Sequence, residues 1–220
     1  MQYDKTEILI ERMEKAFGTK VIFHNFSLEV AKGEFVAVTG PSGCGKSTLL
    51  NIIGLLEDYD GGNIIIGGKK VPGISTGRAT KIRRKKINYL FQSYALINDM
   101  SVMQNLLVAM YYSGITKREQ ISRAEQTLKQ VGIYGLRNEK VNTLSGGEQQ
   151  RVAIARCILK EGDLVLADEP TGALDAETEM HVFRLIVDSI REHRKTLVMV
   201  THNAELARHA DRVIELNGMK

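Results

Sequence analysis

Gly40-Pro41-Ser42-Gly43-Cys44-Gly45-Lys46-Ser47-Thr48 fits the pattern G-x-x-x-x-G-K-[ST], between the apolar runs Phe35-Val36-Ala37-Val38 and Leu49-Leu50-Asn51-Ile52-Ile53. A strand, a glycine-rich turn and a helix, in that order, are the context in which this pattern has a mechanism. Glycines remove the Cβ atoms that would hold an anion away, so successive backbone N–H groups can close around it. The following helix adds its positive N-terminal end. Lys46 can reach the β- and γ-phosphates of a nucleotide, the Ser47 hydroxyl can ligate Mg²⁺, and Thr48 is placed for the α-phosphate. The expectation is a nucleotide site built on an α/β core.

Working outward, two more apolar runs, Leu164-Val165-Leu166-Ala167 and Leu197-Val198-Met199-Val200, end abruptly in polar chemistry, Asp168-Glu169 and Thr201-His202. Continuous apolar runs alternating with helices predict a parallel sheet buried on both faces. Ligands of such sheets bind at the carboxyl ends of the strands, so three runs nominate one site. Around this core, 6–12 and 21–30 read as strands. Asp60-Gly61-Gly62 and Gly67-Gly68 bracket Ile64-Ile65-Ile66 as a hairpin, 87–91 reads as a short strand and 213–216 as another. From about 101 to 131 the period is helical, with Val102, Leu106 and Met110 on one face and Ile121, Ala124, Leu128 and Val131 on another. Met180, Phe183, Val187 and Ile190 mark a further helix.

The 220 residues suffice for one large α/β domain or a core with an inserted subdomain, and a charged fraction of 25% is ordinary for a globular chain. Lys81, Arg83, Arg84, Lys85 and Lys86 form the tightest basic cluster. It lacks the interleaved aromatics that stack bases, so a solvated face is expected ahead of nucleic acid or lipid headgroups. Cys44 and Cys157 are the only cysteines, and they suggest no disulfide framework. Cys44, among phosphate-loop N–H groups and near Lys46, is expected to be a stabilised thiolate open to labelling. The first residues have no apolar signal core and no run approaches the length of a bilayer span, so a soluble chain is expected.

Asp168 and Glu169 close a strand that Pro170 prevents from continuing. Mg²⁺ bound to phosphate oxygens and Ser47 needs another hard oxygen nearby, and Asp168 is placed to supply it. Glu169 can orient or deprotonate a water. Leu144-Ser145-Gly146-Gly147-Glu148-Gln149-Gln150-Arg151 opens a helix bearing Val152, Ala155 and Leu159. Ser145 and Glu148 have capping-box spacing, but capping does not require two glycines beside the serine. Gly146 and Gly147 expose N–H groups at a helix N-terminus, which makes a second anion site far along the chain from the first.

That octet resembles the signature motif of the ATP-binding cassette (ABC) ATPases, and nearly the whole chain is similar to that family in motif order. The resemblance implies a P-loop NTPase with a mainly parallel core sheet, an N-terminal antiparallel β subdomain and an inserted helical subdomain. The core would take about 1–92 and 150–220, and the helical subdomain about 93–149. Gln92 resembles the family's Q-loop glutamine, a catalytic and Mg²⁺-sensing position, Asp175 its D-loop aspartate, and His202 its switch histidine. Phe17 resembles the aromatic that stacks on adenine, though tyrosine is more usual there. ATP and Mg²⁺ are the implied cofactors, with Lys46 and Glu169 among the catalytic groups.

The implied assembly is an ATP-dependent head-to-tail homodimer, in which Ser145, Gly146 and Gly147 of one chain close over the γ-phosphate held by the other. Gly54-Leu55-Leu56 and Phe91-Gln92-Ser93-Tyr94 resemble the macrolide-export, lipoprotein-release and antimicrobial-peptide-resistance group, which drives a separate membrane permease; Asn98 and Gln104 depart from that group's pattern. A cytoplasmic protein peripheral to the inner face of the membrane is implied, with no nucleic-acid partner. The end of the chain, soon after 213–216, is expected to leave no room for a regulatory domain. The apolar residues Tyr94, Leu96, Ile97 and Met100 are expected to line the groove that receives a permease helix. A mechanical ABC ATPase of the cell-division type, signalling through a membrane partner without transport, fits the same motifs.

Overall fold

The computed structural model describes residues 5–91, 93–172 and 176–216, apart from the side chains of 176–178. The chain opens with two long antiparallel strands, β1 (Thr6–Phe17) and β2 (Lys20–Ala31). Next comes β3 (Phe35–Thr39), which runs through the glycine-rich turn into α1 (Lys46–Ile53). After β4 (Gly61–Ile66) and the two-residue β5 (Lys69–Lys70), the basic segment forms α2 (Gly77–Lys85), capped by the Thr76 hydroxyl, and leads into β6 (Ile87–Leu90). Then follow α3 (Val102–Ala109), α4 (Lys117–Gln130), α5 (Gly146–Leu159), β7 (Leu164–Asp168) and α6 (Ala176–Glu192). The described chain closes with β8 (Thr196–Val200), the single turn α7 (Ala204–Ala207) and β9 (Arg212–Glu215).

Two sheets result: a parallel one in the order β6-β7-β8-β3-β9 and an antiparallel one in the order β2-β1-β4-β5. The side-chain period of two divides each parallel strand between two cores. Phe35, Ala37, Val165, Ala167, Leu197 and Met199 face the helices α3 to α6. Val36, Val38, Leu164, Leu166, Val198 and Val200 face α1 and the antiparallel sheet. This is why the runs read as unbroken apolar stretches, as expected for strands covered on both sides. Within the antiparallel sheet Ile8 and Ile10 stand opposite Val30 and Leu28 on one side and Ile66 and Ile64 on the other, all pointing into the second core.

Several expectations need correction. β1 does not stop at Arg12: the register slips between Ile10 and Met13, Arg12 takes φ +48°, and the Arg12 N–H bonds the Ser27 hydroxyl at 3.0 Å, a bulge that lets the strand continue to Phe17. Gly61 and Gly62 are not a turn but the start of β4, and a Cβ on Gly62 would lie 2.4 Å from the Arg12 carbonyl oxygen. Only Gly67-Gly68 turns the hairpin, with φ +55° and +75°. The stretch from 101 to 131 is two helices, and Ile121 is 37% exposed while Ala124, Leu128 and Val131 join the core. No helix among the described residues is long and apolar enough to cross a membrane.

Candidate nucleotide-binding site

The register of the parallel sheet brings three strand ends to one edge. Val38 pairs with Val200 and Asp168 with Val200, and the Thr201 N–H bonds the Val38 carbonyl at 3.2 Å. The phosphate loop therefore starts beside Asp168-Glu169 and Thr201-His202. Two of its glycines leave no room for a side chain. Gly40 has φ +143°, and a Cβ there would lie 2.4 Å from the Leu216 carbonyl oxygen; Gly45, with φ +105°, would meet the Ile22 Cγ2 at 2.6 Å. Cys44 is 7% exposed and its side chain packs into the core, so it contributes backbone to the cradle. The expectation of an accessible thiolate there is corrected by that burial.

Lys46 Nζ donates to the carbonyls of Gly40 at 2.8 Å and Pro41 at 3.0 Å, which holds the ammonium over the loop. The Ser47 hydroxyl lies 3.2 Å from Asp168 Oδ1. Burial pushes the Asp168 carboxyl above its usual range; the Ser47 hydrogen bond opposes this, the neighbouring Glu169 charge adds to it and Lys46 opposes it. A carboxylate whose charge is under-compensated beside a hydroxyl oxygen is a fit for Mg²⁺, a hard cation. No group of three or more His, Cys, Asp or Glu among the described residues could hold a metal unaided. The donor set therefore suits an ion that takes its remaining oxygens from phosphate and water.

Glu169 sits at φ +44°, a strained value for a side-chain-bearing residue, held by its N–H to the Val200 carbonyl (3.0 Å) and by its own carbonyl, which accepts the Gly172 N–H (3.1 Å). The turn aims its carboxylate at His202, with Oε2 2.9 Å from Nδ1. Phe17, 48% exposed at the end of β1, lines the same cleft of about 440 Å³ as the phosphate loop, Asp168 and Glu169. Lys15, paired with Glu57 at 2.7 Å, lies 4.4 Å from the Phe17 ring centre.

Ser145, Gly146 and Gly147 do not line this cleft. They open α5, where Ser145 and Glu148 form the complete capping box: the hydroxyl accepts the Glu148 N–H, and Glu148 Oε2 accepts the Ser145 N–H at 2.8 Å. That backbone bond, then the bond the Ser145 hydroxyl donates to the same oxygen at 2.8 Å, holds the Glu148 carboxyl below its usual range. Ser145 and Gly146 are exposed. Gln92 and Asp175 lie outside the described residues.

Residues that the sequence did not flag tie these parts together. Gln150, in α5, donates to the Pro170 carbonyl next to Glu169. Glu179, in α6, accepts from the Thr171 hydroxyl at 3.0 Å and the Asn203 amide at 3.1 Å, bracing both loops beyond β7 and β8. Arg156 reaches the carbonyls of Ala95 and Tyr94, close after position 92. A second, apolar groove of about 430 Å³ lies between α2, β6, α3 and α5, with Leu56, Phe91, Val108 and Tyr112 among its walls. Of the run 93–100 only Ala95 lines it, because Tyr94 and Leu96 pack against the core, and Ile97, 42% exposed, lies outside it.

A parallel sheet whose central strand delivers a phosphate-binding turn into a helix, beside the carboxylates of a neighbouring strand, defines a P-loop nucleotide-binding protein. The chain belongs to the ABC transporter family, whose model matches residues 23–172. It is 38% identical over 213 residues, 95% of its length, to the macrolide export ATP-binding/permease protein MacB of Mannheimia succiniciproducens. It spans about a third of the length of the curated relatives it matches, 33% in that case. A dimeric bacterial ABC transporter cassette superposes with a TM-score of 0.84 at 38% identity, over 95% of this chain and 94% of that one. The same cassette in a post-hydrolysis state bound to ADP and Pi gives a TM-score of 0.84 at 37% identity, over 96% and 94%.

Proposed function

We propose that this chain is the ATP-binding and ATP-hydrolysing unit of an export-type ABC transporter, coupled to a membrane permease through ATP-dependent pairing of two copies. The observation that carries the reading is the meeting of Lys46, the Ser47–Asp168 pair and the Glu169–His202 pair at the ends of three adjacent strands. Loop N–H groups and Lys46 hold the triphosphate, and Phe17 stacks on the base. Ser47 and Asp168 would hold Mg²⁺, which would supply positive charge against the phosphates. Glu169 takes a proton from the attacking water, and His202 steadies Glu169 and donates toward the γ-phosphate, where charge develops. Gln92 and Asp175 take the Q-loop and D-loop roles.

Ser145, Gly146 and Gly147 are exposed or half-buried on a separate surface of the chain and cannot serve the phosphate loop of their own cleft. A head-to-tail dimer puts them over the partner's γ-phosphate, and the dimeric cassette among the similar structures supports that assembly. The apolar groove against α3 is the docking face for the permease, which places the chain at the inner face of the membrane. In this arrangement the helical segment at about 93–149 transmits what the core at about 1–92 and 150–220 does with ATP.

The test is twofold. The purified chain should turn over ATP with Mg²⁺, and Lys46→Ala should abolish that; turnover that survives Lys46→Ala rejects the site. Val108→Glu, on the exposed wall of the groove, should keep basal turnover and lose co-purification with the permease. Retained co-purification moves the docking face elsewhere.

A further inference from the structure

Residues 61–98 contain eight lysines and arginines and no aspartate or glutamate. Six of the eight, Lys69, Lys70, Arg78, Lys81, Lys85 and Lys86, converge on a groove of about 910 Å³ between the β4–β5 hairpin and α2. Arg78, Lys81 and Lys85 follow at i, i+3 and i+7, so they share one helix face. The floor is apolar, made by Ile66, Val71 and Ile82, and no carboxylate among the described residues lines it. Lys70 bonds the Asn63 side chain at 2.6 Å, and Lys86 stands 3.9 Å from Asp163. Lys69, Arg78, Lys81 and Lys85 form no ion pair with the described residues. Glu7, behind the hairpin, is 3% exposed; burial pushes its carboxyl up and the Lys86 charge opposes this, so one carboxyl faces one of the six cations from beneath the groove.

A single-sign groove of this kind repels itself until an anion arrives. Its apolar floor and the long stems of its cations suit a ligand that is charged on one side and greasy on the other. Among the described residues no aromatic side chain lines it, so they build no stacking platform of the kind a single-stranded nucleic-acid site uses. Its position points the same way. α2 is a shared wall: Arg83 and Arg84 line the groove assigned to the permease, while Arg78, Lys81 and Lys85 line this one. A permease seated on one side of α2 brings the other side toward the lipid around it. We propose that the basic groove docks the chain directly on anionic phospholipid headgroups of the leaflet beside its permease, an inference that rests on the docking face proposed above.

The experiment floats the purified chain with vesicles of phosphatidylcholine alone and of phosphatidylcholine with phosphatidylglycerol. The chain should bind only the second, and binding should weaken with salt. The combined variant Lys69→Gln, Arg78→Gln, Lys81→Gln and Lys85→Gln should bind those vesicles more than about tenfold more weakly while its ATP turnover is unchanged, which shows that it is folded. Equal binding to neutral vesicles, or undiminished binding by the variant, overturns the proposal. So does complete displacement by millimolar inorganic phosphate, which would mark a free-phosphate site, or tighter binding of a short RNA than of the vesicles. Val108→Glu separates this proposal from the permease reading: it should keep vesicle binding even where it loses the permease.

Discussion

His202 Nδ1 stands 2.9 Å from Glu169 Oε2, joining the end of β8 to the end of β7. The histidine side chain is 73% exposed and the glutamate 18%; Glu169 lines the cleft, while His202 stands behind it in a neighbouring pocket beside Gly40. Glu169→Gln keeps the shape and removes the base. ATP binding should persist, turnover should fall by about 10²–10⁴-fold, and light scattering with ATP and Mg²⁺ should show a dimer. Wild-type turnover in this variant would reassign the base.

Asp168 carries a cost in the fold without a cation. Burial raises its carboxyl, so the folded chain keeps a proton that the unfolded chain has lost, and stability falls as pH rises through the window above 3.8. Asp168→Asn should remove that decline and raise the melting temperature measured without nucleotide. The same variant should lose Mg²⁺-dependent ATP binding by more than about tenfold, the effect of removing one charged ligand. A melting temperature that drops would mean the carboxylate is structural.

Arg156 holds the carbonyls of Tyr94 and Ala95, two residues at φ +60° and +49°. Each left-handed conformation costs roughly 1–3 kcal/mol, and it persists because the surroundings over-determine it. Arg156→Ala should speed hydrogen exchange at 94–98 while leaving the parallel sheet protected. Lysine should not restore protection, since one ammonium cannot reproduce the two-pronged geometry of a guanidinium. Unchanged exchange in the alanine variant would show that the loop is held by Tyr94 packing instead.

Lys160 caps the end of α5, donating to the carbonyls of Arg83 (2.9 Å) and Ile87, and burial lowers its ammonium to about 8 from 10.5. The unfolded chain binds this proton more tightly, so the stability of the folded chain should rise between about pH 8 and pH 10.5, with a slope of up to one proton. Denaturant unfolding across that range should show the rise, and Lys160→Met should reduce it, the rest coming from Lys195, whose ammonium burial also lowers. NMR titration of ¹³C-methylated lysines should find one resonance turning near 8 that the variant lacks.

The phosphate loop and the three strand ends were legible because each combines a strong local signal, glycines or an acidic pair, with an apolar run of strand length. Which sheet each strand would join was not: nothing within 35–39 says that β3 lies between β8 and β9. Pairing partners far apart in sequence decide that. The bulge at Arg12 stayed hidden because it is made by Ser27 across the sheet. Ile121 was misplaced because helical period marks a face but not whether a neighbour covers it. Cys44 misled because loop composition says nothing of which way one side chain turns. Gln150 and Arg156 carry no motif of their own, and their carbonyl partners at 170 and at 94–95 appear only once the chain is folded.

The close approach at Gly40 has an evolutionary reading. Every missense change at that codon installs a Cβ, and the Leu216 carbonyl oxygen would stand 2.4 Å from it. No ordinary amino acid escapes this, whatever its chemistry, since the obstacle is the first carbon of any side chain. A lineage could leave glycine there only if the chain following β9 first drew back. Drift at the phosphate loop is therefore gated by a backbone atom near the far end of the chain, and the two segments can diverge only as a pair.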